Sequence, residues 1–148
     1  SDVEKMLNKA TLTTEIEPEI SSVIWSKVAF NAALNAICAI TGTTVGRLAV
    51  SPCFRELARN VVHETVLIGE ANGVSLDECY IWNNVEMAIN EHPNHKPSML
   101  QDIEAARATE VGAINNAIVD AATGVGMDAP VNRTLGQLVA LTEQVKCH

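Results

Sequence analysis

Residues 20–41 read ISSVIWSKVAFNAALNAICAIT, and this stretch decides the fold class. It is apolar or small almost throughout, yet Lys27, Asn31 and Asn35 recur at every fourth position. On an α-helix a step of four residues advances only about 40°, so the three project from one side as a polar stripe. The rest of the circumference carries Val23, Ile24, Trp25, Val28, Phe30, Leu34, Ile37 and Ile40. A helix that is apolar nearly all round is expected to be buried. An ammonium and two carboxamides are costly to bury without partners, so the stripe must meet something polar. Either other protein groups satisfy it, or it lines a cleft.

With 148 residues the chain has the length of one ordinary domain and can bury a core. Aromatics are scarce, and Ala, Ile, Val and Leu supply the bulk, which favours closely packed helices over a β-sandwich. The formal charge of −8 comes without any Lys/Arg cluster, so a nucleic-acid partner is not expected. No membrane span is expected either, because Lys27 and the two asparagines interrupt the best apolar run. Cys38, Cys53, Cys79 and Cys147 are spread without a CxxC pair and read as small buried hydrophobes or as free thiols of a reducing compartment; a cytoplasmic location is expected. His92 and His95 flank Pro93 and lack further ligands nearby, so no metal site is assigned. The opening Ser1-Asp2-Val3, without Met, suggests processing or an expressed fragment.

Along the chain, residues 1–10 read as a short amphipathic helix and Thr11–Glu17 as an extended segment. A helix is expected to start at Ser51-Pro52 and end near Asn72-Gly73, with Glu64 and Glu70 solvated. The next is expected from Ser75, with Glu78 closing a capping box, to about Asn90, with Trp82 and Met87 in the core. Ser98 then reads as an N-cap paired with Gln101, opening a helix that runs to about Thr123, with Gly112 as its weak point. After Gly124 and Gly126, a last helix presents Leu135, Leu138, Val139 and Leu141. Five or six helices with short loops make an all-α domain.

Lys27 is the sharpest candidate for chemistry. Desolvation in an apolar helix disfavours its charged form while a nearby carboxylate restores it. So balanced, it can protonate a developing alkoxide, an effect worth about 10²–10⁴ in rate. A lysine that simply snorkels to water explains the same pattern. Ser98, at a helix start, suits a carboxylate or phosphate, or serves only as a cap. Glu110 reads, by pattern alone, as an exposed helix charge. On one straight helix Ser98 and Glu110 lie about 120° apart, leaving Asp102 and Thr109 as competitors nearer the Ser98 azimuth.

The ordered set Trp25-Ser26-Lys27-x₃-Asn31-x₃-Asn35, Lys96-Pro97-Ser98-Met99-Leu100-Gln101-Asp102-Ile103, Arg107-x-Thr109-Glu110, Ile114-Asn115 and Pro130-x-Asn132 resembles the C-terminal helical domain of ketopantoate reductase (2-dehydropantoate 2-reductase). The likeness spans Ile20 to about Glu143. It implies an all-α domain of the 6-phosphogluconate dehydrogenase C-terminal-like type, and an NADPH enzyme that reduces 2-dehydropantoate to pantoate on the route to pantothenate and coenzyme A. It puts the catalytic lysine on Lys27 and the essential glutamate on Glu110. Asn31, Asn35 and Ser98 become substrate-binding residues, and the NADPH site falls mainly in an N-terminal Rossmann domain. Residues 1–17 then read as a junction segment from that domain and residues 18–148 as the helical domain.

Three departures stand out. Asn116 occupies a position where relatives often have Gly, and His95-Lys96-Pro97 replaces the usual Asn or Ser ahead of Ser98. Lys96 is either a further cation for the substrate carboxylate or a solvated loop charge. Third, no GxGxxG lies in a strand–turn–helix setting, since Gly124-Val125-Gly126 follows a helix. The chain alone is therefore expected neither to hold NADPH properly nor to turn over. Two alternatives stand beside this reading: a reductase of another 2-oxo acid, and a non-catalytic helical dimerisation module whose stripe is a packed seam. The oligomeric state is left open, with a homodimer admitted.

Overall fold

The computed structural model describes residues 18–146, so the expected helix at 1–10 and extended segment at 11–17 lie outside the described residues. Within them are seven α-helices: α1 Pro18–Thr41, α2 Val45–Leu48, α3 Pro52–Ala71, α4 Glu78–Glu91, α5 Ser98–Glu104, α6 Asn115–Gly124 and α7 Pro130–Lys146. The expectation of five or six fell short because α2 is a single turn and the long helix from Met99 is two.

The stretch at 20–41 is the central helix. It packs against α2, α3, α4, α5 and α7. Ala29 and every residue from Ala32 to Ala39 are buried, the alanines letting neighbouring backbones come close. Val23, at the outer end, is 65% exposed, while Trp25 and Val28 are half-buried against the core, so the first half of the helix is covered on one side only. By length and composition Glu19–Thr41 would in fact suffice to cross a bilayer, contrary to the expectation that its polar residues forbid it. Its place at the centre of the bundle accounts for that apolarity.

The helix α3 follows its end signals, with Ser51 before Pro52 and Asn72 closing it. Three assignments on neighbouring elements change. The fourth helix starts at Glu78 because Asp77, not Ser75, accepts the Tyr80 N–H at 2.9 Å; the Ser75 carbonyl instead receives the Ser22 hydroxyl at 2.9 Å. Met87 is 47% exposed while Trp82 is buried under the Arg59 guanidinium, 4.0 Å above its ring. On α7, Leu135 and Val139 are buried but Leu138 and Leu141 are 40% and 55% exposed, outside the contact face.

The largest difference follows Ser98. The expected continuous helix ends at Glu104, well before Gly112, and α6 begins only at Asn115. Ala106 has φ +52°, its N–H reaches the Ile103 carbonyl at 3.2 Å, and the Arg107 N–H reaches the Asp102 carbonyl at 2.8 Å. That pair of bonds is the Schellman ending, built here on alanine at the position glycine usually takes.

A buried polar network fastens the far side of the bundle. Glu64, expected to be solvated, accepts the main-chain N–H groups of Val131 and Asn132 at 3.0 and 2.8 Å and so caps α7. The Asn132 side chain donates to Glu64 at 2.9 Å and accepts from Asn115 Nδ2 at 3.1 Å; both asparagines are fully buried. The neighbouring departure, Asn116, is accommodated by Gly136, where any side chain would collide with Asn116 Oδ1.

Candidate active-site cleft

Two clefts lie side by side along α1. One, of about 530 Å³, is lined by Asn31 and Asn35 of α1, Val45 of α2 and Ser98 at the start of α5, with His92, His95 and Pro97 from the connecting loop. The other, of about 580 Å³, holds Lys27 with Ser26, Asp77, Tyr80, Asn84 and Met87 around it. They share Phe30, Ala88 and His92 as lining residues, so they are neighbours. Their volumes fall in the range of small-molecule sites. The stripe therefore lines a cleft, as one of its two readings required.

The structure brings Asn31, Asn35 and Ser98 together from two elements far apart in sequence. Asn35 is 7% exposed, and no hydrogen bond to its side chain occurs among the described residues. Lys27 stands one helical turn away on the same side, in the adjoining cleft. It is exposed rather than desolvated, although Ile24 and Trp25 in the turn before it are half-buried. Among the described residues it forms no ion pair; Asp77, in the same cleft, is engaged as the cap of α4.

Glu110 lines neither cleft. It sits in the turns after α5, exposed, its carbonyl accepting the N–H groups of Ala113 and Ile114 at 3.0 and 3.1 Å. Its competitors are occupied elsewhere. Asp102 binds the Arg107 guanidinium at 2.9 Å, and the Thr109 N–H donates to Glu143 at 2.7 Å. Ser98 makes no side-chain cap, and Gln101 donates to the Lys96 carbonyl at 2.8 Å instead of completing a box with Ser98. Lys96 itself is paired with both oxygens of Glu104, at 2.8 and 2.7 Å, on an exposed surface outside both clefts.

The sequence reading missed His92 and His95 as cleft residues, having weighed them only as metal ligands. The available signal was their loop, which runs directly into Ser98. Buried Cys38 lies on the inner face of α1, and burial pushes its thiol up to about 12 from an ordinary 9.0, so it stays protonated and inert.

These features define an all-α domain in which one buried helix turns a lysine–asparagine–asparagine stripe toward ligand-sized clefts. The chain matches the family described as "Ketopantoate reductase PanE/ApbA C terminal" over residues 19–143 and belongs to it. It is 33% identical to the 2-dehydropantoate 2-reductase of Streptococcus pyogenes serotype M18 (strain MGAS8232), over 97% of this chain and 47% of that one. The crystal structure of a PanE/ApbA family ketopantoate reductase from Ralstonia eutropha JMP134 superposes with a TM-score of 0.79 at 29% identity, covering 86% of this chain and 42% of that one. A D-mandelate dehydrogenase complexed with NADH superposes at 0.82 with 26% identity, covering 86% and 44%. The chain thus spans about half the length of the relatives it matches.

The described residues contain no β-strand, and so no strand–glycine turn–helix cradle for a dinucleotide pyrophosphate. What they offer is hydrogen-bonding groups for a small polar molecule.

Proposed function

We propose that this chain is the substrate-binding and catalytic half of an NADPH-dependent 2-dehydropantoate 2-reductase, acting on ketopantoate in pantothenate and coenzyme A synthesis in the cytoplasm. The observation that supports it best is the convergence of Asn31, Asn35 and Ser98 on one cleft, with Lys27 a turn away in the adjoining one. Reducing a ketone requires a hydride at carbon and a proton at oxygen. No group on this chain supplies the hydride. The Lys27 ammonium supplies the proton, donating from Nζ to the C2 oxygen as negative charge develops there. The amides of Asn31 and Asn35 and the Ser98 hydroxyl orient the acid by hydrogen bonds to its oxygens. Glu110 enters only through the family resemblance, as a partner for a substrate hydroxyl.

Lys27→Ala in the full-length protein tests this. A loss of about 10²-fold or more in kcat, with unchanged far-UV circular dichroism, is expected. An unchanged kcat would instead favour a helical dimerisation module.

The likeness to a D-mandelate dehydrogenase supports a second reading, the reduction of another 2-oxo acid. Assaying ketopantoate beside phenylglyoxylate and pyruvate separates the two. The ketopantoate assignment requires the highest kcat/KM for ketopantoate, since pocket contacts alone set such preferences.

A further inference from the structure

The loop from His92 to Pro97 forms one wall of the cleft and delivers Ser98, and something must fix its distance from α1. Its main-chain connection to an element beyond its own flanking helices, among the described residues, is a single bond: the Gly46 N–H of α2 donates to the Pro93 carbonyl at 3.0 Å. The backbones touch there. A Cβ on Gly46 would stand 2.6 Å from the Pro93 carbonyl oxygen and 2.7 Å from Pro93 Cα, as well as against Pro93 Cβ. These are backbone and ring atoms, so no rotamer change can clear them. Gly46 does not have a positive φ, and its backbone would accept alanine. The missing side chain therefore serves close approach and not an unusual conformation. Val45, the residue before it, is buried and lines the cleft itself. The loop is also tightened by the His95 N–H bond to the His92 carbonyl at 3.0 Å, so a push at Pro93 is passed along it.

We propose that Gly46 is a positioning residue for substrate binding: its bare Cα and N–H hold Pro93, and through it His92, His95 and Ser98, at working distance from Asn31 and Asn35. This rests on the oxo-acid reading of the cleft. A shift of about 1 Å in a binding wall commonly costs up to 10²-fold in binding or rate.

The test compares Gly46→Ala with Gly124→Ala, a glycine with open space around it, in the full-length enzyme. For Gly46→Ala the KM for the oxo acid is expected to rise about tenfold or more while the KM for NADPH stays within twofold. Gly124→Ala should change neither. A merely structural role would lower the melting temperature and active fraction without moving KM. Amide hydrogen exchange over residues 92–98 is read in parallel and needs no substrate. Faster exchange there in Gly46→Ala is expected. Unchanged exchange, or a KM within twofold of wild type, overturns the proposal, whereas a wild-type enzyme inactive on every oxo acid overturns the functional reading alone. Should Gly46→Ala fail to fold, Pro93→Gly removes the ring from the same contact without a clash, and the same KM rise and faster exchange are required of it.

Discussion

Glu64 receives both the main-chain N–H of Asn132 and its side-chain amide, at 2.8 and 2.9 Å, across 68 residues of sequence. One carboxylate thereby caps α7 and anchors the asparagine that in turn binds Asn115 of α6. Removing it leaves the Val131 and Asn132 donors unpaired at a packed helix start. Glu64→Ala is expected to destabilise the fold by about 2–3 kcal/mol, beyond the usual cost of a lost cap because the bonds are charge-assisted. That is a fall of roughly 5–10 °C in melting temperature, measured by calorimetry. A change under about 1 °C would show the cap to be dispensable.

Ala106 supplies a test of opposite sign. It closes α5 at φ +52°, a conformation that costs a residue with a Cβ about 1–2 kcal/mol. Glycine removes that cost but adds unfolded-chain entropy worth about 0.5–1 kcal/mol. The exposed side chain of Ala106 gives up little packing. Ala106→Gly should therefore stabilise by about 0.5 kcal/mol, read as a small rise in the denaturation midpoint at constant m-value. A loss of stability would contradict the Schellman ending.

The same residue shows what was legible in the sequence. Helices α1 and α3 were readable because their signals are local: a sustained helical period, Ser51-Pro52 at one end and Asn72-Gly73 at the other. The break after Glu104 was not, because Ala105 and Ala106 favour helix and the Schellman ending is built without the glycine that would announce it. Glu64 looked like a surface charge because its partners lie at the other end of the chain. The polar stripe was visible as a period, yet only packing could reveal that Lys27 is exposed and Asn35 buried. Residues joined by the fold alone, such as Gly46 and Pro93, leave no mark on a local pattern.

Cys38 predicts both a reactivity and a pH dependence. Its thiol is held near 12 in the fold against an ordinary 9.0 in the unfolded chain, because burial disfavours the thiolate. The native state thus binds the proton more tightly, and unfolding releases it above about pH 9. This contribution to stability is present in full below pH 9 and is lost as pH rises from there toward 12. Cys38→Ala should show a shallower decline of stability over that window in denaturant titrations. At neutral pH, iodoacetamide followed by mass spectrometry should modify exposed Cys53 and Cys79 while sparing Cys38. Labelling of Cys38 at the rate of the other two would contradict its burial.

The asparagines and Lys96 separate binding from structure. Asn132 is fully buried within a hydrogen-bonded network, whereas Asn35 faces the cleft with no side-chain hydrogen bond among the described residues. Asn132→Ala should cost about 2–3 kcal/mol of stability by leaving the buried Asn115 Nδ2 without its acceptor and removing the side-chain bond to Glu64, which keeps its two main-chain donors. Asn35→Ala should cost under about 1 kcal/mol but raise the KM for the oxo acid about tenfold or more, through lost orienting bonds. Lys96 serves as the control. Its ammonium is held by Glu104 on the surface, with the two side chains 48% and 44% exposed, and such pairs contribute about 0–1 kcal/mol. Lys96→Ala should leave stability within that range and KM within twofold. If instead Lys96→Ala raises KM as much as Asn35→Ala does, the lysine leaves Glu104 to meet the substrate carboxylate, and the cleft extends beyond the residues that line it here.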